Sequence, residues 1–229
     1  MSGTVTGSSG HPVFHRRLSL VLKAVLAIEA AFALWEQQWL TAVITIGIIG
    51  ITLFPLITAR GFRVFIPAEF ELVAVAFIFA SLFLGEIYGY YTRFWWWDIA
   101  LHTTSGLLLG VIGFLLVHVL NETEDIGLHM KPGFVAFFAF LFAVGIGALW
   151  EIFEFCMDRL LGLNMQKEML GDPSGLTDTM WDLIVDAIGA LVIAMVGYGY
   201  LKKAGNRSFL ERWIQSFIQA NPRLFKGRS

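Results

Sequence analysis

The chain is predicted to be an all-α polytopic membrane bundle of six transmembrane helices, and three observations carry that prediction. Of 229 residues, 57% are hydrophobic and 15% charged, with a mean hydropathy of +0.70, whereas soluble domains run near about 25% charged. The apolar residues fall into blocks of about 20, the length that crosses a bilayer as a helix. The basic residues, finally, are spread unevenly between alternate connections, as membrane topology requires. A net charge of −2 leaves nucleic-acid binding without electrostatic support. Cys156 is the single cysteine, so neither an intramolecular disulfide nor Cys-x-x-Cys chemistry is available.

Residues 1–14 are rich in Gly, Ser and Thr and are expected to form a disordered cytoplasmic N-terminus. A six-helix transmembrane domain follows over 15–201, with spans at 18–36, 38–57, 68–88, 98–120, 133–156 and 179–200. Ala31-Phe32-Ala33, after Arg16-Arg17, has the small residues of a signal-peptidase site. Lys23 and Glu29 interrupt what should then be an uncharged core, so the segment is read as a retained span. Residues 202–229 form a cytoplasmic amphipathic tail. There Ser208 and Glu211 have capping-box spacing, and Phe209, Leu210, Trp213, Ile214, Phe217 and Ile218 make one apolar stripe, as in a helix lying on a membrane surface.

Orientation follows from the basic residues. With the N-terminus in the cytoplasm, only Arg93, Arg159 and Lys167 of the 16 Lys and Arg fall outside. Both termini are then cytoplasmic. Trp95-Trp96-Trp97, with Tyr88, Tyr90 and Tyr91, fits an interfacial aromatic belt at the outer surface. The outer connection at about 158–178 contains Gly162, Gly171, Asp172-Pro173 and Gly175, and serves either as a lid or as a connector.

This topology brings the acids of the last three spans to the outer side. Ionisable groups within spans are expensive to place in lipid, so by default they mark a site or a pathway. Asp98 and His102 lie one turn apart on one helix face, as a ligand pair would, or as a helix cap beside a structural histidine. Glu151 and Glu154 also share a face, and two close carboxylates must share a proton or a cation unless Glu154 is simply at the wet interface. Asp178, Asp182 and Asp186 descend in steps of four, turning roughly 40° per step and spanning about 12 Å of depth. Asp178 reads most simply as an N-cap, whereas Asp186 sits two turns inside with no cheap structural role. Gly106 and Gly110, with Gly113 near them, permit a close helix crossing.

The runs Trp97-Asp-Ile-Ala-Leu-His102-Thr-Thr-Ser-Gly106, Trp150-Glu-Ile-Phe-Glu154 and Asp178-Thr-Met-Trp-Asp182-Leu-Ile-Val-Asp186-Ala-Ile-Gly189-Ala resemble the YjdF-like family of bacterial inner-membrane proteins. More distantly, the order Asp-x-x-x-His, then Glu, then Asp-x-x-x-(Asp/Asn)-x-x-Gly looks like the VanZ-like proteins of the cell envelope. Glu154 stands where those chains often carry glutamine. The resemblance implies a location in the bacterial inner membrane and covers the last three spans.

Three functions remain open at this stage. The first is a divalent-cation or acid–base site acting on a lipid-linked or envelope substrate, with Asp98, His102, Glu151 and Asp186 as acid–base groups and Asp98, His102, Glu151, Glu154, Asp182 and Asp186 as metal ligands. Many carboxylates with one histidine suit Mg²⁺, Mn²⁺ or Ca²⁺ better than Zn²⁺. The second is a proton- or cation-coupled transporter, with the staggered acids and Glu29 forming a relay. The third is an accessory protein whose acids clamp the bundle. The chain has no Gly-x-Ser-x-Gly, His-Glu-x-x-His or phosphate-loop motif to support standard hydrolase or nucleotide chemistry.

Overall fold

Helices account for almost the whole of the computed structural model, which describes residues 11–62, 67–122, 130–202 and 216–221. They are α1 (His11–Trp35), α2 (Trp39–Phe62), α3 (Ala68–Ile78, continuing as a π-helical stretch over Phe79–Ile87), the single turn α4 (Tyr90–Arg93), α5 (Trp97–Glu122), α6 (Pro132–Leu161) and α7 (Leu176–Lys202). Among the described residues no strand forms, only an isolated bridge between Met169 and Asp172. The all-α polytopic expectation is met. α1, α3 with its π-helical extension, α5, α6 and α7 are each long and apolar enough to cross a membrane. The remaining expected span corresponds to α2, with its apolar stretch at Trp39–Leu53. Residues 1–10, and 203–215 and 222–229 of the expected amphipathic tail, lie outside the described residues, and α1 is helical from His11.

The chain divides into two compact units, Met1–Phe94 and Trp95–Ser229. In the first, α1 packs against α2 and α3 around Leu26, Ile48 and Phe83. α1 and α2 are joined through Gln37, whose φ of 58° turns the chain sharply. Pro67 opens α3 with an extended backbone, and Glu69 and Glu71 occupy its first turn, where the helix dipole favours negative charge. The charges that weaken the first span are matched within this unit. Lys23 Nζ lies 2.7 Å from Glu71 Oε1, Ser19 Oγ donates to the same oxygen at 3.3 Å, and Tyr88 donates to Glu29 at 3.3 Å.

In the second unit α5, α6 and α7 each pack against the other two. Glycines set how closely they approach. A Cβ on Gly106 would collide with the backbone carbonyl of Asp186, and one on Gly189 with the carbonyl of Thr103, so α5 and α7 cross backbone to backbone at these positions. Further along, Gly110 faces Ile193, Gly113 faces Ala139 and Phe142 of α6, and Gly197 accepts the ring of Phe114. Phe114, Val111, Ala139, Ala143 and Ala190 fill the interior, while Leu149, Ile152, Ile188 and Met195 face outward, as lipid-facing residues do. Pro132 in the first turn of α6 has no amide hydrogen to leave orphaned. Gly162 (φ 65°) ends the helix in a left-handed cap, its N–H returning to the Asp158 carbonyl.

Candidate metal centre

The crossing at Gly106 and Gly189 determines which side chains meet. One turn before Gly106, α5 presents His102; one and two turns before Gly189, α7 presents Asp186 and Asp182. Around the imidazole stand four carboxylates from three helices. Nε2 lies 3.6 Å from Asp98 Oδ1 and 3.8 Å from Asp182 Oδ2. Nδ1 lies 3.3 Å from Asp186 Oδ2 and 3.8 Å from Glu151 Oε1. The ring thus divides the acids into a pair on each nitrogen.

The two edges differ in how well their acids are satisfied. Asp186 also accepts a hydrogen bond from Ser105 Oγ. Gly147 of α6 makes room for it, since a Cβ there would sit 2.6 Å from Asp186 Oδ2. Asp182 is fully buried and Glu151 nearly so, and no donor meets any of their four carboxylate oxygens with full hydrogen-bonding geometry, although the Thr179 hydroxyl lies near Glu151. Burying a polar group without a partner costs about 1–3 kcal/mol, and more when it is charged. Four carboxylates in a low-dielectric interior also carry more negative charge than one imidazolium balances. The deficit calls for protons or a cation.

Asp98, His102 and Asp182 each offer one ligand atom, and these atoms lie within 4.8 Å of one another. The arrangement is therefore able to hold a metal ion on the Nε2 edge. The His102 and Asp98 side chains, 12% and 16% exposed, are the part of the cluster open to the surroundings.

Glu154 and Asp178 have hydrogen-bond partners outside this group. Glu154 is buried, but its Oε1 accepts from Trp150 Nε1 at 2.8 Å, and it makes no ion-pair contact with His102 among the described residues. Asp178, expected to cap α7, lies inside the first turn and accepts the Lys167 amide at 2.7 Å. The capping falls to Asp172 and Ser174 instead. Asp172 accepts from the Ser174 amide at 2.9 Å and from the Thr177 amide and hydroxyl at 3.1 and 2.7 Å, while Ser174 Oγ accepts from the Leu176 amide. Hydrogen bonds from Ser174 and then Thr177 hold the Asp172 carboxyl well below the usual carboxylate range.

The same loop is tied to the helices at further points. Asp158 accepts the Met165 and Gln166 amides, and Gln166 Nε2 donates to Thr179 at 2.7 Å. Of the two roles open to this connection, the anchoring fits a fixed strap better than a swinging lid. Ser105, Gln166 and Thr179 were not visible as contributors in the sequence, because hydroxyl and amide residues in or beside a helix carry no pattern of their own.

The helices and the buried cluster define a multi-pass membrane protein with a polar carboxylate–imidazole centre. Residues 14–203 match the family described as "Predicted membrane protein (DUF2238)", and the chain belongs to that family. It is also similar to a Thermotoga maritima protein described as "Uncharacterized protein", 31% identical over 196 residues, covering 82% of this chain and 92% of the relative. No solved structure matches the chain. The match agrees with the membrane-protein family resemblance at that coarse level, and neither similarity bears on the VanZ-like one.

Proposed function

We propose that the α5–α7 centre binds one divalent cation through Asp98, His102 and Asp182, and that it acts on a lipid-linked or envelope substrate reaching it at the Asp98–His102 edge. The observation that carries this is the set of four buried oxygens on Asp182 and Glu151 that no donor meets with full hydrogen-bonding geometry. A purely structural clamp would satisfy its own hydrogen bonds, as Asp186, Asp178 and Glu154 do. Glu151 and Asp182 instead face His102 at 3.8 Å without a full hydrogen bond to it, an arrangement that suits ligands and bases better than a clamp.

The donor set of carboxylates with one imidazole suits Mg²⁺, Mn²⁺ or Ca²⁺. Asp186, on the far nitrogen and fixed by Ser105, is placed to orient the ring, as a carboxylate behind a metal-bound histidine does. Glu151 remains free to accept a proton. A bound divalent ion there would supply Lewis-acid polarisation of a phosphoryl or carbonyl oxygen. A proton relay through the bundle is less well supported. Beyond Asp186 the buried residues of α7 are Gly189, Ala190, Ile193, Ala194 and Gly197, so the polar track stops within α7.

The test is titration of chelator-stripped, detergent-purified protein with Mn²⁺, followed by elemental analysis. One ion per chain is expected in wild type, with loss in Asp98→Asn and Asp182→Asn while helicity is retained. Folded wild type that takes up none of Mg²⁺, Mn²⁺, Ca²⁺ or Zn²⁺ overturns the assignment.

A further inference from the structure

At the opposite end of the α6–α7 pair lies a second feature that the acid cluster does not use. A cavity of about 480 Å³ is lined by Lys131, Pro132, Gly133, Phe134, Tyr198 and Lys202. It sits where α6 begins and α7 ends, at the depth where a spanning helix pair meets the headgroup region. The walls are apolar, supplied by Pro132, Phe134 and the ring of Tyr198. Gly133 contributes no side chain, and a Cβ added there would sit 3.9 Å from Tyr198. Two lysines contribute to the lining, Lys131 from the residue that caps α6 and Lys202 from the last residue of α7. Lys202 Nζ is held 5.5 Å from the centre of the Tyr198 ring. Among the described residues no acid lines the cavity and neither lysine makes an ion pair. It therefore has the charge and the polarity of an anionic amphiphile's counterpart.

We propose that this groove is a binding site for the headgroup of an anionic phospholipid, its phosphate between Lys131 and Lys202 and its acyl chains along the outward faces of α6 and α7. Charge complementarity selects the occupant: basic pockets between spanning helices take anionic lipid headgroups, each lysine near the surface adding attraction. The interfacial depth selects lipid over a soluble anion, because Phe134, 52% exposed, and Phe137, 58% exposed, continue the apolar surface from the opening along α6. Two lysines that merely snorkel to the interface would attract anionic lipid only diffusely, without retaining a molecule of it through purification. In the orientation that the basic residues favour, this is the cytoplasmic leaflet.

The experiment uses the full chain in detergent. Phosphatidylglycerol and phosphatidylcholine of identical acyl composition are added in competition, and retained lipid is counted by native mass spectrometry. Wild type is expected to retain phosphatidylglycerol preferentially, with excess inorganic phosphate failing to displace it. Lys131→Gln with Lys202→Gln should remove the preference, each single change weakening it about fivefold. The double Arg variant should restore it, whereas Lys167→Gln, at the far end of the same helices, should leave it intact. Equal retention of both lipids by wild type, full displacement by inorganic phosphate, or an unchanged preference in the folded double Gln variant each overturn the site. None of these readouts depends on whether the acid cluster holds a metal.

Discussion

Asp186 Oδ2 lies 3.3 Å from His102 Nδ1, at the point where α7 crosses α5. The contact fixes the ring from the side opposite Asp98 and Asp182. On the proposed reading it separates two roles that the acids of α7 share in sequence: Asp182 on the Nε2 edge as an ion ligand, and Asp186 on the Nδ1 edge as the group that orients the ring.

Removing an orienting carboxylate should weaken an ion site without abolishing it. Asp186→Asn is expected to lower Mn²⁺ affinity by about 10–100-fold, the usual effect of losing the partner behind a ligating histidine. Ser105→Ala should act in the same direction and less strongly, since it frees Asp186 and leaves its charge. The bound Mn²⁺ should keep its single imidazole nitrogen coupling in the electron paramagnetic resonance spectrum of both variants. Loss of that coupling would place Asp186 among groups without which His102 does not bind.

Two glycines on α6 provide a control on geometry. A Cβ on Gly147 would sit 2.6 Å from Asp186 Oδ2, whereas one on Gly145 meets nothing within 4 Å. Gly147→Ala should therefore displace the Asp186 carboxylate and weaken ion binding, although no polar atom is removed. Its overpacking should lower stability by about 1–3 kcal/mol. Gly145→Ala should bind normally and gain up to about 1 kcal/mol from helix propensity. Thermal unfolding in detergent, with a Mn²⁺ titration beside it, distinguishes the two.

The ion pair in the first unit gives a different kind of test. The Lys23 and Glu71 side chains are 13% and 19% exposed, so truncating one leaves a largely desolvated charge behind. Glu71→Leu or Lys23→Met alone should destabilise by up to about 3–5 kcal/mol, while Lys23→Met with Glu71→Leu should be close to neutral. A double-mutant cycle of unfolding in denaturing detergent measures the coupling, and additive single effects would show that the pair contributes nothing.

The spans were legible because lipid imposes a length and an apolar content that a sequence displays directly. The acids of α5 and α7 were legible for a related reason: an aspartate such as Asp186, two turns inside a span, stands out against its surroundings. The division of labour was not legible. Spacing places Glu151 and Glu154 on one face, yet Trp150 Nε1 takes up Glu154 and leaves Glu151 for His102, a choice made by a side chain one turn away. Ser105 resembles any helix serine until Asp186 arrives from another helix. Glu71 drew no notice because its partner, Lys23, is 48 residues away in the chain. Asp178 was read as a cap, and the cap in fact lies earlier, in the turn at Asp172 and Ser174 that the sequence marked only by its Asp-Pro and glycines.

That turn makes the strap between α6 and α7 sensitive to acid. The Asp172 carboxyl is held below its ordinary value by hydrogen bonds from Ser174 and Thr177. A group with a lowered folded-state pKa stabilises the folded form above its unfolded value, about 3.9, and that contribution is lost as pH falls through the folded value. The strap should therefore hold at neutral pH and loosen only below about pH 4. Asp172→Asn should already be loose at neutral pH, because an amide oxygen accepts the same bonds without charge assistance. Protection factors for the Ser174 and Thr177 amides, followed by hydrogen exchange with the intrinsic pH dependence divided out, report the opening directly. Wild type and Asp172→Asn with equal protection at neutral pH would mean that the Gln166–Thr179 and Lys167–Asp178 bonds hold the strap by themselves. Lower protection in the variant, approached by wild type only in acid, would assign that holding role to the Asp172 carboxylate.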